Sequence, residues 1–247
     1  MTTSRVELAA LNNALWCNTV CGAHGVPGDV QPTVWLNANV PPPHHSNLVV
    51  ISSMATQAEI DEHVRHLSAR ALSPTWSLKD SFMSLDMAPH GFGVLFEAHW
   101  IWLDADRVAE KATAAAAHCV RITSASELAL WEACWRQDAG NHKAAAQPRQ
   151  FPDGLLRDPK VAFIACVDGD RIVAVGIANR TPGAVGLSNV VVNTKDRRAA
   201  WMNLVGLTGR LFPGFPIVGY ERDDDLLAAE ATGFQTIGPL RVWMRKP

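Results

Sequence analysis

Three apolar stretches in the second half of the chain are separated by turns that are short enough only for hairpins. The stretches cover residues 161–167, 171–178 and 184–192, and the turns between them are Asp168-Gly169-Asp170 and Thr181-Pro182-Gly183. A short connection that contains glycine joins antiparallel neighbours, whereas a parallel crossover needs a dozen residues or more. The sequence therefore predicts an antiparallel meander of three strands.

Helix and strand patterns alternate on both sides of this meander. Ser124, with Glu127 three residues later, forms a capping box, and Gly233 follows a helical pattern at the usual position of a left-handed cap. The predicted order is a strand at 118–122, a helix from 124, the meander, a helix at 196–211, a strand at 217–220, a helix at 223–232, and strands at 234–237 and 241–244. This order predicts a mixed sheet that is covered by helices.

The first half of the chain shows the same kinds of element more weakly. Thr56 and Glu59 predict another capping box, and residues 104–117 are polar and rich in alanine, which we interpret as a connector. The predicted elements are helices at 6–24 and after 56, and strands at 33–37, 48–52, 75–78 and 93–103.

Composition and charge exclude several classes of protein. The chain has 247 residues and a net charge of −2, which does not support a nucleic-acid binder. Because it has no apolar run of the roughly 20 residues that a membrane helix needs, and its N-terminus lacks the core of a signal peptide, we expect a cytoplasmic protein. Residues 1–110 carry 5 basic and 11 acidic side chains, and the remainder carries 17 and 13. The basic second half suits an anionic ligand, and chance variation of solvated faces explains the asymmetry equally well.

The cysteines do not form a recognisable pattern. Their odd number, five, and their scattered spacing argue against a disulfide framework. Cys17 and Cys21 lie one helical turn apart, and we interpret them as buried thiols because no matching further metal ligand is evident. The sequence predicts no metal site, and it contains no serine nucleophile elbow, P-loop or HExxH helix.

The end of the chain carries the most specific motifs. Residues 217–221 read Ile-Val-Gly-Tyr-Glu, Asp225 lies in the helix that follows, Gly233-Phe234 leads into a closing hairpin, and residues 238–243 read Gly-Pro-Leu-Arg-Val-Trp. With the order of elements from 118 to 245, this stretch resembles the GNAT superfamily of acyl-CoA N-acyltransferases. The first half resembles the degenerate N-terminal half of tandem GNAT-like proteins.

The resemblance implies the fold and the domains. We expect an α/β (α+β) fold with a GNAT-like mixed, mostly antiparallel sheet flanked by helices. The two tandem parts are a degenerate GNAT-like domain at 1–110 and an acyl-CoA-binding domain at 118–247.

The resemblance also implies a binding site for acetyl-CoA or another acyl-CoA as co-substrate. In the family, the fourth strand parts from the fifth, the pantetheine arm pairs with the exposed strand, and the next helix N-terminus binds the pyrophosphate. Met202 departs from the small residue of the family pattern, and Asp196 adds a negative charge near the expected anion. The residues at the matching positions are Val190, Val191 and Val192 on the strand, and Arg197, Arg198, Ala199 and Ala200 on the helix.

The implied reaction is a direct attack on the thioester by the amine of a small molecule or peptide. Tyr220 is the candidate acid for the leaving thiolate, and Glu221 is the candidate base or amine anchor. One alternative is a catalytically eroded GNAT-like module that binds a ligand or associates with itself, and another is a packed structural role for each candidate. A homodimer also stays open. The candidates for contact with the acceptor are Asn179, Ser188, Asn189 and Glu97.

Overall fold

The chain divides into two compact units in the computed structural model, which describes residues 3–70, 75–114, 119–136 and 149–246. Unit 1 consists of residues 1–100 and 237–247, and unit 2 consists of residues 101–236. The two domains predicted from the sequence, at 1–110 and 118–247, have other bounds than these units and stay a prediction.

Unit 1 is a mixed sheet with two helices. Its strands lie in the order β1-β2-β3-β4-β11-β5, in which β3 and β4 are parallel and β4 and β11 are antiparallel. Strand β5 continues past residue 100 into unit 2, and β11 begins there. The elements are α1 (Arg5–Ala23), β1 (Asp29–Val30), β2 (Val34–Leu36), β3 (Leu48–Val50), α2 (Gln57–Ala69), β4 (Ser77–Asp80), β5 (Phe92–Leu103) and β11 (Gln235–Arg245).

Helix α2 shows why the first half folds where its pattern predicts. Thr56 caps the helix by accepting a hydrogen bond from the Glu59 backbone, while the Glu59 carboxylate accepts one from the Thr33 hydroxyl. The predicted N-cap by Thr56 is confirmed, but the predicted capping box is not formed, because the Glu59 carboxylate contacts Thr33 instead of the backbone of Thr56. The apolar face, with Ile60, Val64 and Leu67, is buried in the core of unit 1.

Unit 2 contains the predicted meander. Its strands lie in the order β10-β9-β8-β7-β6, and all neighbours are antiparallel except β9 and β10. The predicted mixed, mostly antiparallel sheet with flanking helices is thus confirmed. The elements are α3 (Ala105–Ala114), β6 (Cys119–Arg121), α4 (Ala125–Trp135), β7 (Val161–Asp168), β8 (Arg171–Thr181), β9 (Ala184–Val192), α5 (Arg197–Leu211), β10 (Ile217–Glu221) and α6 (Asp223–Ala231).

The apolar run of β7 is explained by burial on both faces of the sheet. Ala162 and Ile164 belong to the core that β7 shares with α5. Phe163 points to the other side, where its ring makes an edge contact with Trp131 of α4 at 5.1 Å between centroids. The Trp131 indole also donates to the Ile164 carbonyl at 2.8 Å. Helices therefore cover both faces of this strand.

The predicted connector at 104–117 is wrong over most of its length, because residues 105–114 form α3. Alanine has the highest helix propensity, and the segment has one large apolar anchor, Val108, which is 2% exposed. A Cβ on Gly209 of α5 would lie 2.7 Å from Val108 Cγ1 and 3.2 Å from Ala112 Cβ. The glycine therefore lets α3 pack closely on α5, a contact that no local pattern reveals.

Strand β11 is continuous where the sequence predicts two strands bent at 238–239. The ladder with β4 begins at Arg241, opposite Asp80, so the missing amide of Pro239 interrupts no pair in that ladder. A Cβ on Gly238 would lie 3.0 Å from Val6 Cγ2, so this position lies close against α1.

The argument against disulfides fails for one pair. Cys119 and Cys166 face each other across β6 and β7 and form a disulfide. Their separation of 47 residues gives no local signal, because the pairing depends on strand register. Cys17, Cys21 and Cys134 are buried thiols, which confirms the prediction for the first two.

The sequence also predicts a polar, alanine-rich loop at 140–149, which lies outside the described residues apart from Arg149, as does the predicted strand start at residue 118. Among the described helices, none combines the length and the apolar composition that crossing a bilayer requires.

Candidate functional site

The two parallel strands of unit 2 separate shortly after they meet. The ladder between β9 and β10 consists of two pairs, Ile217 with Val185 and Val218 with Gly186. A Cβ on Gly219 would lie 2.6 Å from the Leu187 carbonyl oxygen, so the backbones remain close for one more position. In the described structure, residues 188–192 of β9 have no ladder partner on the β10 side. Their backbone edge is the pairing surface that the sequence predicts for a thioester arm.

A β-bulge in β9 marks the point of separation. Ile177 of β8 pairs with Ser188, whereas Val175 pairs with Val191, so β9 contains one extra residue in this interval. Asn189 lies in the interval with φ of +53°, in the left-handed region that asparagine tolerates better than most residues. The Ser188 hydroxyl donates to Asn189 Oδ1 at 3.1 Å. The bulge re-aims the strand just where β10 ends its pairing.

The N-terminus of α5 follows β9 after a short turn. Asp196 caps the helix, and its carboxylate accepts from the Ala199 backbone N–H at 2.9 Å. Ala200 is 4% exposed and offers little bulk, whereas Met202 is half-buried. One donor of the first turn is therefore already used by an acidic side chain.

The two arginines at the start of α5 make different contacts. Arg197 forms an ion pair with Asp225 of α6 through Nη2, and its Nη1 donates to the Val192 carbonyl at 3.4 Å. Its Nε is buried and has no hydrogen-bond partner. Arg198 is exposed and donates from Nε to the Ala231 carbonyl at 3.2 Å. Arg197 is thus the cation that lies against the end of β9.

The end of β10 places a carboxyl group beside this ion pair. Burial raises the pKa of Glu221 well above its usual value, the neighbouring Asp225 raises it further, and Arg197 partly offsets both effects. A carboxyl group with a raised pKa is a better proton acceptor near neutral pH than an ordinary one. Tyr220 precedes Glu221 and is half-buried. The structure therefore brings together Arg197, Glu221 and Asp225 from three elements.

Asp225 is the member of this group that the sequence analysis did not single out as a site residue. It lies 28 residues after Arg197, in the first turn of α6. Three successive acids, 223–225, begin that helix, which is typical of an ordinary helix N-terminus. The sequence indicates this ion pair only through the opposite charges of Arg197 and the three acids, and charge alone does not identify which acid makes the pair.

The acceptor candidates lie in different places. Asn179 of β8 is 4% exposed and pairs with Gly186 of β9 in register, and Ser188 and Asn189 are half-buried at the bulge. Glu97 belongs to unit 1, where its carboxylate forms an ion pair of 2.7 Å with Arg241 on β11. Glu97 is therefore engaged in a cross-strand pair of its own unit. No group of three potential metal ligands occurs among the residues described here.

The comparisons with known proteins give a fold. No model of a protein family matches the chain, and no curated protein matches its sequence. A GCN5-related N-acetyltransferase from Kribbella flavida has a TM-score of 0.60 at 10% identity, over 97% of this chain and 96% of that one. A putative acetyltransferase of the GNAT family from Novosphingobium aromaticivorans has a TM-score of 0.54 at 12% identity, over 95% and 97%.

A third similar structure comes from a protein of unknown function from Staphylococcus epidermidis. Its TM-score is 0.60 at 9% identity, over 88% of this chain and 92% of that one. The first two neighbours share the fold of GCN5-related N-acetyltransferases along nearly the whole chain. The chain therefore has the GNAT fold, and the predicted resemblance is confirmed at that level.

Proposed function

We propose that this chain transfers an acetyl or other acyl group from acyl-CoA to the amine of a small molecule or peptide. The observation that carries the proposal is the early end of the ladder between β9 and β10, where Val218 with Gly186 forms the last pair. A strand edge without a partner binds an extended ligand by main-chain hydrogen bonds. Here that edge leads directly to a helix N-terminus and to a carboxyl group with a raised pKa.

The edge of β9 fits the amide-containing arm of the donor. Ser188, Asn189, Val190 and Val191 are half-buried, and they have no ladder partner on the β10 side in the described structure. Val190 also packs on the core shared with α5, which fixes the strand on its other face. In the proposal, residues 190–192 hold the pantetheine arm.

The start of α5 fits the donor phosphates in part. The first turn of a helix offers unsatisfied N–H groups and a positive dipole end, and Ala199 and Ala200 are small enough for close approach. Arg197 and Arg198 add charge-assisted donors. Asp196 has to release the Ala199 N–H for a phosphate to bind there. We therefore expect the cap to rearrange when the donor binds.

The chemistry follows from the two groups at the end of β10. Acetyl-CoA supplies an activated acyl group when bound. An ammonium group must lose a proton before its nitrogen can attack, and the Glu221 carboxylate is the proposed acceptor of that proton. Tyr220 is the proposed donor of a proton to the departing thiolate. The scaffold holds the two reactants in line, which lowers the entropic part of the barrier.

The acceptor amine is proposed to lie near the bulge. Ser188 and Asn189 present hydroxyl and amide groups there, and Asn179 lies on the neighbouring strand β8. Glu97 is not part of this proposal because its carboxylate is paired with Arg241. Location in the cytoplasm and a homodimer are further parts of the proposal.

A second candidate function is a binding or self-association module that has lost its chemistry. It is favoured by the two contacts that occupy the helix start, the Asp196 cap on Ala199 and the ion pair of Arg197 with Asp225. If these contacts persist in solution, the phosphates have no place to bind.

A thermal shift with acetyl-CoA distinguishes the two functions. A donor at about 100 times its dissociation constant stabilises the fold by about 2.7 kcal/mol. Arg197→Ala is expected to weaken donor binding by about tenfold or more, since a charge-assisted hydrogen bond contributes about 1.5 to 3 kcal/mol. Arg210→Ala, at the exposed opposite end of α5, removes the same charge as a control and should leave binding unchanged.

Activity is then measured as CoA thiol released from acetyl-CoA in the presence of an amine panel. Release that depends on the amine supports the transferase. No thermal shift at millimolar acetyl-CoA contradicts it and favours the second function.

A further inference from the structure

Arg197 is half-buried, and its buried Nε lacks a hydrogen-bond partner. Its Nη2 contacts Asp225, its Nη1 contacts the Val192 carbonyl at 3.4 Å, and its Nε is buried without a hydrogen-bond partner. A buried charged donor normally has its hydrogen bonds made. Asp225 therefore holds the guanidinium in place while Nε makes no hydrogen bond, as expected for a group that binds another partner in another state.

A second carboxyl group, that of Glu221, interacts with both members of this ion pair. Glu221 at the end of β10 interacts electrostatically with both Asp225 of α6 and Arg197 of α5. Strand β9, which completes this region, has no charged residue between 184 and 192. The Arg197 guanidinium therefore interacts with two carboxyl groups, those of Asp225 and Glu221.

We propose that Asp225 is a positioning residue that holds Arg197 against the end of β9 until the phosphates of the donor take the guanidinium over. This inference rests on the proposed function and names the regulation of the same site. Asp225 and the phosphates compete for one cation, so the ion pair lowers donor affinity by the fraction of molecules in which Arg197 is engaged. This competition sets an order of events: Arg197 leaves Asp225 and Glu221 only when the donor is bound.

The movement of Arg197 from Asp225 to the donor phosphates changes the pKa of Glu221. When Arg197 turns towards a phosphate, the attraction that favours the charged carboxylate weakens while the repulsion from Asp225 remains. The proton affinity of Glu221 then rises, so part of the Glu221 population takes up a proton when the donor binds, and the part that stays ionised can accept the proton of the amine. Donor binding is therefore expected to be accompanied by proton uptake.

The test is a calorimetric titration of the full chain with coenzyme A. Asp225→Asn frees Arg197, and we expect it to bind coenzyme A about tenfold more tightly than the wild type. Asp224→Asn, an exposed neighbour in the same helical turn, removes the same charge and should stay within about twofold. A merely structural role for Asp225 predicts weaker binding, since loss of the contact would loosen the site.

A second measurement uses the wild type itself, with Glu221→Gln as its control. Titrations of the wild type at pH 8, in buffers of different ionisation enthalpy, should show net proton uptake that Glu221→Gln abolishes. Wild type that binds coenzyme A without proton uptake, or Asp225→Asn that binds no more tightly, overturns this inference and leaves the proposed function standing. Wild type that does not bind coenzyme A at all overturns both.

Discussion

Val218 of β10 pairs with Gly186 of β9, and this is the last pair of their parallel ladder. The proposed donor-binding and proton-transfer residues lie beyond this pair, on the rest of β9, at the start of α5 or at the end of β10. The bulge at Asn189 and the short length of β10, five residues, both limit the ladder. The site therefore originates in strand pairing that stops early, and the helix start and the carboxyl group are placed by it.

Glu221→Gln is the sharpest test of the proposed base. A general base contributes about 10²- to 10⁴-fold to a rate, so we expect a loss of at least about 10²-fold in turnover with donor affinity nearly retained. The measurement is turnover with a chosen amine, together with the dissociation constant of acetyl-CoA. Equal losses in turnover and donor affinity would indicate a damaged site instead of a missing base.

The same variant has a pH signature in stability. The pKa of Glu221 is raised in the folded state, so the wild type loses stability as pH rises from about 4.5, the ordinary value, through the folded pKa. Glutamine does not titrate. The free energy of unfolding of Glu221→Gln should therefore exceed that of the wild type at pH 8, and the difference should shrink towards pH 4.5. A difference that is constant with pH would contradict the raised pKa.

Tyr220→Phe tests the proposed acid. The substitution removes one hydroxyl and keeps the ring, so the packing of the half-buried side chain is retained. We expect turnover to fall by about 10²-fold, with the dissociation constant of acetyl-CoA within about twofold of the wild type. Unchanged turnover would remove Tyr220 from the chemistry.

The sequence predicted the elements whose signals are local. The meander follows from two short turns with glycine, and the observed strands β7, β8 and β9 begin at the predicted residues 161, 171 and 184. The capping box of Ser124 and Glu127 is also present as predicted. In each case the residues that determine the structure lie within a few positions of one another, so pattern alone is sufficient.

Contacts between distant parts of the chain were missed for the opposite reason. Arg197 with Asp225 and Cys119 with Cys166 depend on which elements become neighbours. The sequence pattern predicts a connector where α3 forms, because the contact of Val108 with Gly209 of α5 joins residues that lie far apart in the chain. The family resemblance predicts that β9 and β10 separate. The bulge in β9 could not be predicted, because it is seen only in the register between β8 and β9.

Asn189 is expected to be sensitive to alanine and tolerant of glycine. Its φ of +53° costs an ordinary residue about 1 to 2 kcal/mol, and glycine adopts it without that cost. Asn189→Ala should therefore lower the free energy of unfolding by about 1 kcal/mol or more, while Asn189→Gly stays close to the wild type. Chemical denaturation measures both. Equal stabilities would mean that the left-handed conformation is absent in solution.

Glu7 is predicted to stabilise unit 1 in a pH-dependent way. Hydrogen bonds from the backbones of Ser4 and Ser53 hold the pKa of its carboxyl group at about 2, against partial burial that raises it. A lowered folded pKa contributes stability above about 4.5 that is lost as pH falls towards 2. Glu7→Gln should cost about 1 to 2 kcal/mol at pH 7, after allowance for solvent screening, and much less near pH 2, where the carboxyl group is partly protonated.

The control for Glu7 is Glu62→Gln on α2, where the side chain is exposed. It should change stability by no more than about 0.5 kcal/mol at any pH. Urea titrations at pH 7, 4 and 2.5 measure both variants. A Glu7→Gln penalty that does not fall with pH would show that the hydrogen bonds do not depend on the charge.

Thiol counting tests the disulfide between Cys119 and Cys166. Of the five cysteines, three remain as thiols in the structure. Protein purified without reductant should therefore react with three equivalents of a thiol reagent after unfolding, and with five after reduction. Closing a loop with a separation of 47 residues restricts the unfolded chain, so reduction should lower the free energy of unfolding by about 3 to 4 kcal/mol. The matched control is the double variant Cys119→Ser/Cys166→Ser, whose stability should not respond to reductant. Five thiols in the unreduced wild type would show that the bond is not formed.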